Sequence, residues 1–171
     1  MIPKIIWQTH EFEYDGLPDT WLRNSNSWKD MNPDYEYRYV SARERKKMMK
    51  EMGYLAEYEK IRTPRQKSEL WRYLTLLKYG GFYVDMDSMC LGPLDFNHNS
   101  KFIVQSKGDR NEYYFNGYFA CEKNNELLSL FEPYGDFDIL DMTSKGQQVG
   151  TEFRVYAKSK GANWKGLEKF M

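Results

Sequence analysis

Residues 63–87 read TPRQKSELWRYLTLLKYGGFYVDMD, and the rest of the chain is best read outward from them. Thr63 is a helix N-cap, Pro64 takes the first helical position, and Gln66 is placed to close a capping box. Leu70, Leu74 and Leu77 recur at i, i+4 and i+7, the apolar stripe of a helix. Gly80 and Gly81 end it, because glycine enters the left-handed region without steric cost. Residues 82–86 are β-prone and lead into two carboxylates, Asp85 and Asp87. In an extended strand, residues i and i+2 point to one side. Both carboxylates are therefore expected to face one hard cation, Mn²⁺ or Mg²⁺, together with a phosphorylated ligand. A lone D-x-D occurs in many turns; the capped helix and the strand before it give this pair its weight.

The same helix carries Glu69 and Arg72, which are i, i+3 neighbours on a face away from the leucine stripe. One reading is a surface ion pair contributing about 0.2–0.5 kcal/mol. The other places Arg72 beside a pyrophosphate and Glu69 beside a sugar or ribose hydroxyl. The helical pattern leaves both open.

Elsewhere strands and helices alternate. Residues 4–8 read as a buried strand, 18–28 as a helix carrying Trp21 and Trp28, and 35–40 as a half-exposed strand. Ser41, with Glu44 three residues on, caps a basic helix that Gly53 ends, and residues 54–61 continue helically. Strands are expected at 102–105 and 114–121, a helix at 126–131, and a polar loop or short helix over the site at 135–150. This order predicts an α/β sheet with helices on both faces and ligands at the carboxyl ends of the strands. Arg43, Arg45, Lys46, Lys47 and Lys50 form the densest basic cluster, read as a solvated helix face, the alternative being an acceptor or membrane-surface contact.

A chain of 171 residues is expected to form one domain, spanning 1–171. With 25 basic against 25 acidic residues, no field suited to nucleic acid is expected. Fourteen Tyr and five Trp suit a stacking or carbohydrate-facing pocket, although ordinary half-buried packing uses the same residues. Cys90 and Cys121 have no framework spacing and read as free thiols. No charged leader and no run of about 18 apolar residues is present, so a cytoplasmic protein without a membrane span is expected.

The segments IPKIIWQT (2–9), NPDYEY (32–37), SELWRY (68–73) and YGGFYVDMD (79–87) resemble, in order, the sugar-transferase family defined by a DXD motif. That family includes yeast-type α-1,6-mannosyltransferases, bacterial capsule and lipopolysaccharide glycosyltransferases, and the catalytic domains of large clostridial glucosylating toxins. The second half matches only faintly, at Asn116-Gly117 and Asn163-Trp164. The resemblance implies a minimal GT-A (Rossmann-like) nucleotide-sugar-binding domain with a central mixed sheet flanked by helices. It also implies that Asp85 contacts the donor sugar or ribose and that Asp87 binds Mn²⁺ (or Mg²⁺) directly. Arg72 would reach the donor's sugar or phosphate. Glu69, where the family more often has Asp, would reach a donor-sugar hydroxyl. Tyr83 would lie close to the nucleotide, and the chain after Ile5, from Ile6 to Gln8, would edge the base pocket.

The chain departs from the family in two places. The family commonly reads H-Q-x-W at the first strand's exit, and this chain reads Trp7-Gln8-Thr9-His10, with the two side chains interchanged. Either His10 or Trp7 would stack on the base; if instead Trp7 is a buried strand residue and His10 an exposed loop residue, the contact moves to Tyr83 or Tyr73. Many relatives also supply a metal ligand as His before a C-terminal Ser-Trp; here Asn163 or water would fill that position. The implied function is metal-dependent transfer of a hexose, glucose favoured, from a UDP-sugar to a carbohydrate or other hydroxyl acceptor. Retention of configuration is implied, and a partner protein could complete the acceptor site. Two alternatives stand beside it: a nucleotide-sugar-binding module without efficient transfer, and a DXD-dependent phosphohydrolase.

Overall fold

The structure, a computed structural model, describes residues 1–94, 102–107 and 113–125. The expected helix at 126–131, the polar segment 135–150 and Asn163 lie outside the described residues. The elements are β1 (Ile5–Thr9), α1 (Asp19–Met31), β2 (Glu36–Val40), α2 (Ala42–Met52), α3 (Leu55–Lys60), α4 (Pro64–Tyr79), β3 (Gly81–Val84), β4 (Phe102–Lys107) and β5 (Tyr113–Cys121), with a 3-10 turn at Tyr14–Gly16. The strands form one mixed sheet in the order β2-β1-β3-β5-β4. β1 runs parallel to β2 and β3, whereas β5 is antiparallel to β3 and β4. The three parallel strands end at the same edge of the sheet, and the site is built there.

The caps follow the local chemistry. Ser41 and Glu44 close a reciprocal capping box on α2, and Gly53 ends that helix at φ 88°. On α4 the Thr63 hydroxyl accepts from the Gln66 amide and donates to Gln66 Oε1. Gly80 and Gly81 sit at φ 69° and 103°. A Cβ on Gly81 would lie 2.7 Å from the Ile5 carbonyl oxygen. The start of β3 and the first strand pass too closely there for any other residue.

Strand alternation divides the core in two. Trp7, Tyr83, Phe119 and Cys121 face α2, α3 and α4, where they meet Met49, Tyr58, Leu70, Trp71, Leu74 and Leu77. Their neighbours Ile6, Phe82, Val84 and Ala120 face α1 and pack on Trp28. Each fully buried aliphatic or aromatic side chain of this kind contributes about 1.5–3 kcal/mol. Cys90 and Cys121 are free thiols. Among the described residues no helix is long and apolar enough to cross a membrane.

One boundary differs from expectation with consequences for the site. β3 ends at Val84, not at Met86. The Asp85 amide makes the last link to β5, donating to the Gly117 carbonyl at 2.8 Å, and the Ser88 amide then folds back to the Asp85 carbonyl at 3.2 Å. Asp85 and Asp87 thus sit on a turn. The extended-strand argument for a shared face does not apply, because the chain turns away from β5 directly after the Asp85 amide.

Candidate active site

A cleft of about 350 Å³ opens at the carboxyl ends of β1 and β3. The exit of β1 supplies Thr9, His10 and Glu11, α2 supplies Arg45, the first turns of α4 supply Pro64, Arg65, Ser68, Glu69 and Arg72, and the exit of β3 supplies Asp85. Four residues singled out in the sequence, Asp85, Arg72, Glu69 and His10, therefore share one cavity.

Asp85 is fixed by its neighbours. Its Oδ1 accepts from the Tyr83 hydroxyl at 2.6 Å and from Arg72 Nη1 at 3.2 Å. The Arg72 guanidinium lies 4.2 Å from the centre of the Tyr83 ring. Side-chain exposure is 7% for Arg72 and 27% for Asp85, so this pair is largely shielded from water. Such a pair does more for orientation than for stability. Burial works against the Arg72 charge, but the facing Tyr83 and Asp85 oxygens outweigh it and push the guanidinium's pKa up. Burial likewise pushes the Tyr83 phenol up, keeping it a hydrogen-bond donor. Of the two readings left open for Glu69 and Arg72, the structure does not show the surface ion pair. Glu69 accepts from Arg65 Nε at 3.1 Å, one turn earlier, and Arg72 pairs with Asp85.

Asp87 is exposed on the turn after Asp85. Among the described residues no group of three or more His, Cys, Asp or Glu could enclose a metal ion. Asp85 Oδ2 takes no partner among the described residues, and Asp87 is open to solvent. Two carboxylates beside a cleft fit a hard cation completed by substrate phosphates and water. They do not form an all-protein cage.

At the other end of the cleft, the His10 ring lies 4.0 Å from the Trp21 ring and 5.0 Å from Phe12. Burial lowers its pKa; Arg45 adds to this and Glu11 opposes it. Several expected base contacts are corrected here. Trp7 is 2% exposed, its indole N–H donates to the Gly80 carbonyl at 2.9 Å, and its ring packs edge-on against Trp71. It is a core residue, because its alternating position on β1 faces α4. Tyr73 packs on Phe119 and Tyr83 lies beneath Arg72, so neither ring presents a face to the cleft. Ile6 and Gln8 are wholly buried. The Gln8 amide donates instead to the Asp85 carbonyl at 3.2 Å.

Arg45 was expected on a solvated face, but it is 1% exposed. It pairs with Glu11, and its Nε is buried without a partner among the described residues. The remaining cluster members Arg43, Lys46, Lys47 and Lys50 are exposed, and the first three are paired with Glu13, Glu59 and Glu51. The sequence reading missed Glu11 and placed Arg45 on the wrong face. A signal existed: with Ser41 as N-cap, residues 45 and 49 fall on one face one turn apart, and both are buried.

With this geometry in hand, comparison with known proteins is informative. The sequence profile described as "Glycosyltransferase sugar-binding region containing DXD motif" matches residues 18–107. The chain is 33% identical over 97 residues to a mannosyl phosphorylinositol ceramide synthase of Saccharomyces cerevisiae, covering 56% of this chain and 25% of that protein. It is 30% identical over 113 residues to an initiation-specific alpha-1,6-mannosyltransferase of Candida albicans, covering 61% of this chain and 29% of that one. It is 32% identical over 96 residues to inositol phosphoceramide mannosyltransferase 3 of Schizosaccharomyces pombe, covering 55% and 26%. The chain thus spans between a quarter and a third of the length of these relatives. A solved structure, PaToxG Glycosyltransferase, superposes with a TM-score of 0.67 at 19% identity, covering 98% of this chain and 73% of that one. This likeness shows the fold, the GT-A architecture expected from the sequence. The matched profile covers more than half of the 171 residues and includes the turn that bears Asp85 and Asp87, so the chain belongs to the DXD-motif glycosyltransferase family.

Proposed function

We propose that this chain transfers a hexosyl group from a nucleoside diphosphate sugar, bound in the cleft, to a hydroxyl acceptor. The observation that carries the reading is the junction of Asp85, Tyr83 and Arg72 at the β3 exit, with a second carboxylate two residues on. Departure of a nucleoside diphosphate builds negative charge, and Arg72 offers a fixed cation in a site where little solvent reorganises. Mn²⁺ or Mg²⁺ held by Asp87 and Asp85 Oδ2 would neutralise that charge further. Glu69 would accept from a donor-sugar hydroxyl. Among the described residues the cleft carboxylates Glu11, Glu69 and Asp85 are each paired with an arginine. Retention of configuration belongs to this proposal on the strength of the family resemblance.

The relatives' names favour mannose as the sugar. The β1 exit lies next to the β3 exit in the sheet, so a donor with its diphosphate at Asp85 would extend its base toward His10 and Glu11. Glu11 offers acceptors only. Guanine can donate two N–H groups to a carboxylate, whereas uracil offers one N–H between two carbonyls that would be repelled. A GDP-linked mannose is the donor this edge suits best. UDP-glucose is the second reading, favoured by the likeness of residues 79–87 to users of UDP-hexoses.

Nucleotide release with and without Mn²⁺ separates these ideas, using GDP-mannose and UDP-glucose as donors and simple mannosides as acceptors. Acceptor-stimulated release of GDP supports the proposal. Release of inorganic phosphate alone would indicate a phosphohydrolase, and tight nucleotide binding without any release would indicate a binding module.

A further inference from the structure

Beyond the carboxylates themselves, the conformation of the turn that bears them needs a cause. Residues 85–94 contain no helix or strand, and the Ser88-to-Asp85 bond is one of few they make with themselves. Four of their main-chain groups are received by α1 and its C-cap residue Asn32. Asn24 Nδ2 donates to the Met86 carbonyl at 2.9 Å, and the Trp28 indole N–H donates to the Ser88 carbonyl at 2.9 Å. The Cys90 amide donates to Ser27 Oγ at 2.9 Å, and the Leu94 amide to Asn32 Oδ1 at 2.7 Å. From β1, Gln8 holds the Asp85 carbonyl, and its own Oε1 accepts from Tyr37 at 2.7 Å and Ser25 at 3.2 Å.

We propose that α1 is the positioning template of the metal-binding turn, with Asn24 and Trp28 as positioning residues for the cation held at Asp85 and Asp87. The inference rests on the metal reading given above. Each of these contacts goes to a main-chain atom of the turn, so α1 sets where the two carboxylates stand without occupying either of them. Groups that orient ligands in this way change metal affinity about 10–100-fold when removed, and small displacements of a positioned group are costly. Loop satisfaction alone would produce the same hydrogen bonds, but it predicts a different response to mutation.

The test uses the full chain. Asn24→Leu removes one donor at similar volume, Trp28→Phe removes one donor and keeps a smaller aromatic ring, and Asn26→Ala alters the exposed side of the same helix. Mn²⁺ is titrated calorimetrically into each protein saturated with GDP or UDP, whichever binds more tightly, and nucleotide affinity is measured again without metal. The expected result is Mn²⁺ affinity weakened about tenfold or more in Asn24→Leu and Trp28→Phe. Metal-free nucleotide affinity should stay unchanged, kcat should largely recover at saturating Mn²⁺, and Asn26→Ala should match the unaltered chain. Should Asn24→Leu fail to fold, Trp28→Phe retains its ring and decides alone. Unchanged Mn²⁺ affinity in a folded variant overturns the template, as does parallel loss of metal-free nucleotide binding. Absence of any Mn²⁺ response in the unaltered chain overturns the metal reading and the template with it.

Discussion

The two ends of the cleft are built differently. At the β3 end, Asp85 is held through its side chain by Tyr83 and Arg72 and through its main chain by Gln8 and Gly117. At the β1 end, His10 and Glu11 leave the strand as a loop, with one charged partner, Arg45, and two neighbouring rings. The first end is over-determined, and the second leaves room to differ between donors. Rigid geometry is needed where charge develops in a reaction. Where only a base has to be told apart, side-chain identity is enough.

The sharpest way to break this comparison is at the β3 end. Asp87→Ala is expected to lower kcat with Mn²⁺ about 10³-fold while leaving the melting temperature near its original value, since the side chain is exposed. Activity unchanged in Mn²⁺ would remove the turn from the chemistry. Arg72→Lys keeps the charge but loses the planar fork that spans Asp85 and the Tyr83 face. A fall in kcat/KM of about 10²-fold is expected in steady-state kinetics. A smaller effect than that of His10→Ala would invert the ranking of the two ends.

At the β1 end, His10→Ala should weaken nucleotide binding about tenfold, the size of one base–aromatic stack, with metal–pyrophosphate binding little changed. Glu11→Gln should narrow the preference for GDP over UDP, read by calorimetry on the two nucleotides. A preference that Glu11→Gln leaves intact would move base recognition elsewhere. The smallest effect expected is on stability with pH. The His10 pKa lies below 6.5 because burial disfavours the charged ring, so the unfolded chain binds the proton first. Stability should fall as pH drops from about 6.5 toward the lower native value, and His10→Phe should flatten that part of a denaturation series.

The difference between the two ends also governs what could be read in advance. The α4–β3 unit was legible because its signals are local: a capping Thr63, a leucine stripe, a glycine pair and two carboxylates. The flanking helices followed from the order of strands and helices, and the sheet's mixed character from the resemblance. The turn at Asp85 was not legible, because where β3 stops depends on β5, which lies far along the chain. For a related reason the two readings of Trp7 stayed open and Arg45 was misread. Whether a tryptophan stacks on a ligand or on Trp71, and whether an arginine meets water or Glu11, is set by tertiary contacts that spacing does not encode. The interchange of Trp7 and His10 against the family pattern has a structural sense. The larger ring fills the core under α4, and the smaller titratable one lines the cleft.

The sheet order has a consequence for biogenesis. β1 is synthesised before the other strands of this sheet, yet it lies between two parallel partners, and Ile6 pairs with Phe82 only after α1 to α4 have been made. Until then its β3-facing edge carries unpaired backbone groups beside Ile6 and Trp7, an apolar template for pairing with another chain. Parallel pairings this distant in sequence form slowly. Expression at lower temperature or slower synthesis should therefore raise soluble yield more than changes to the cleft do, and a nascent chain halted before Gly81 should bind chaperones that one carrying β3 and β5 releases.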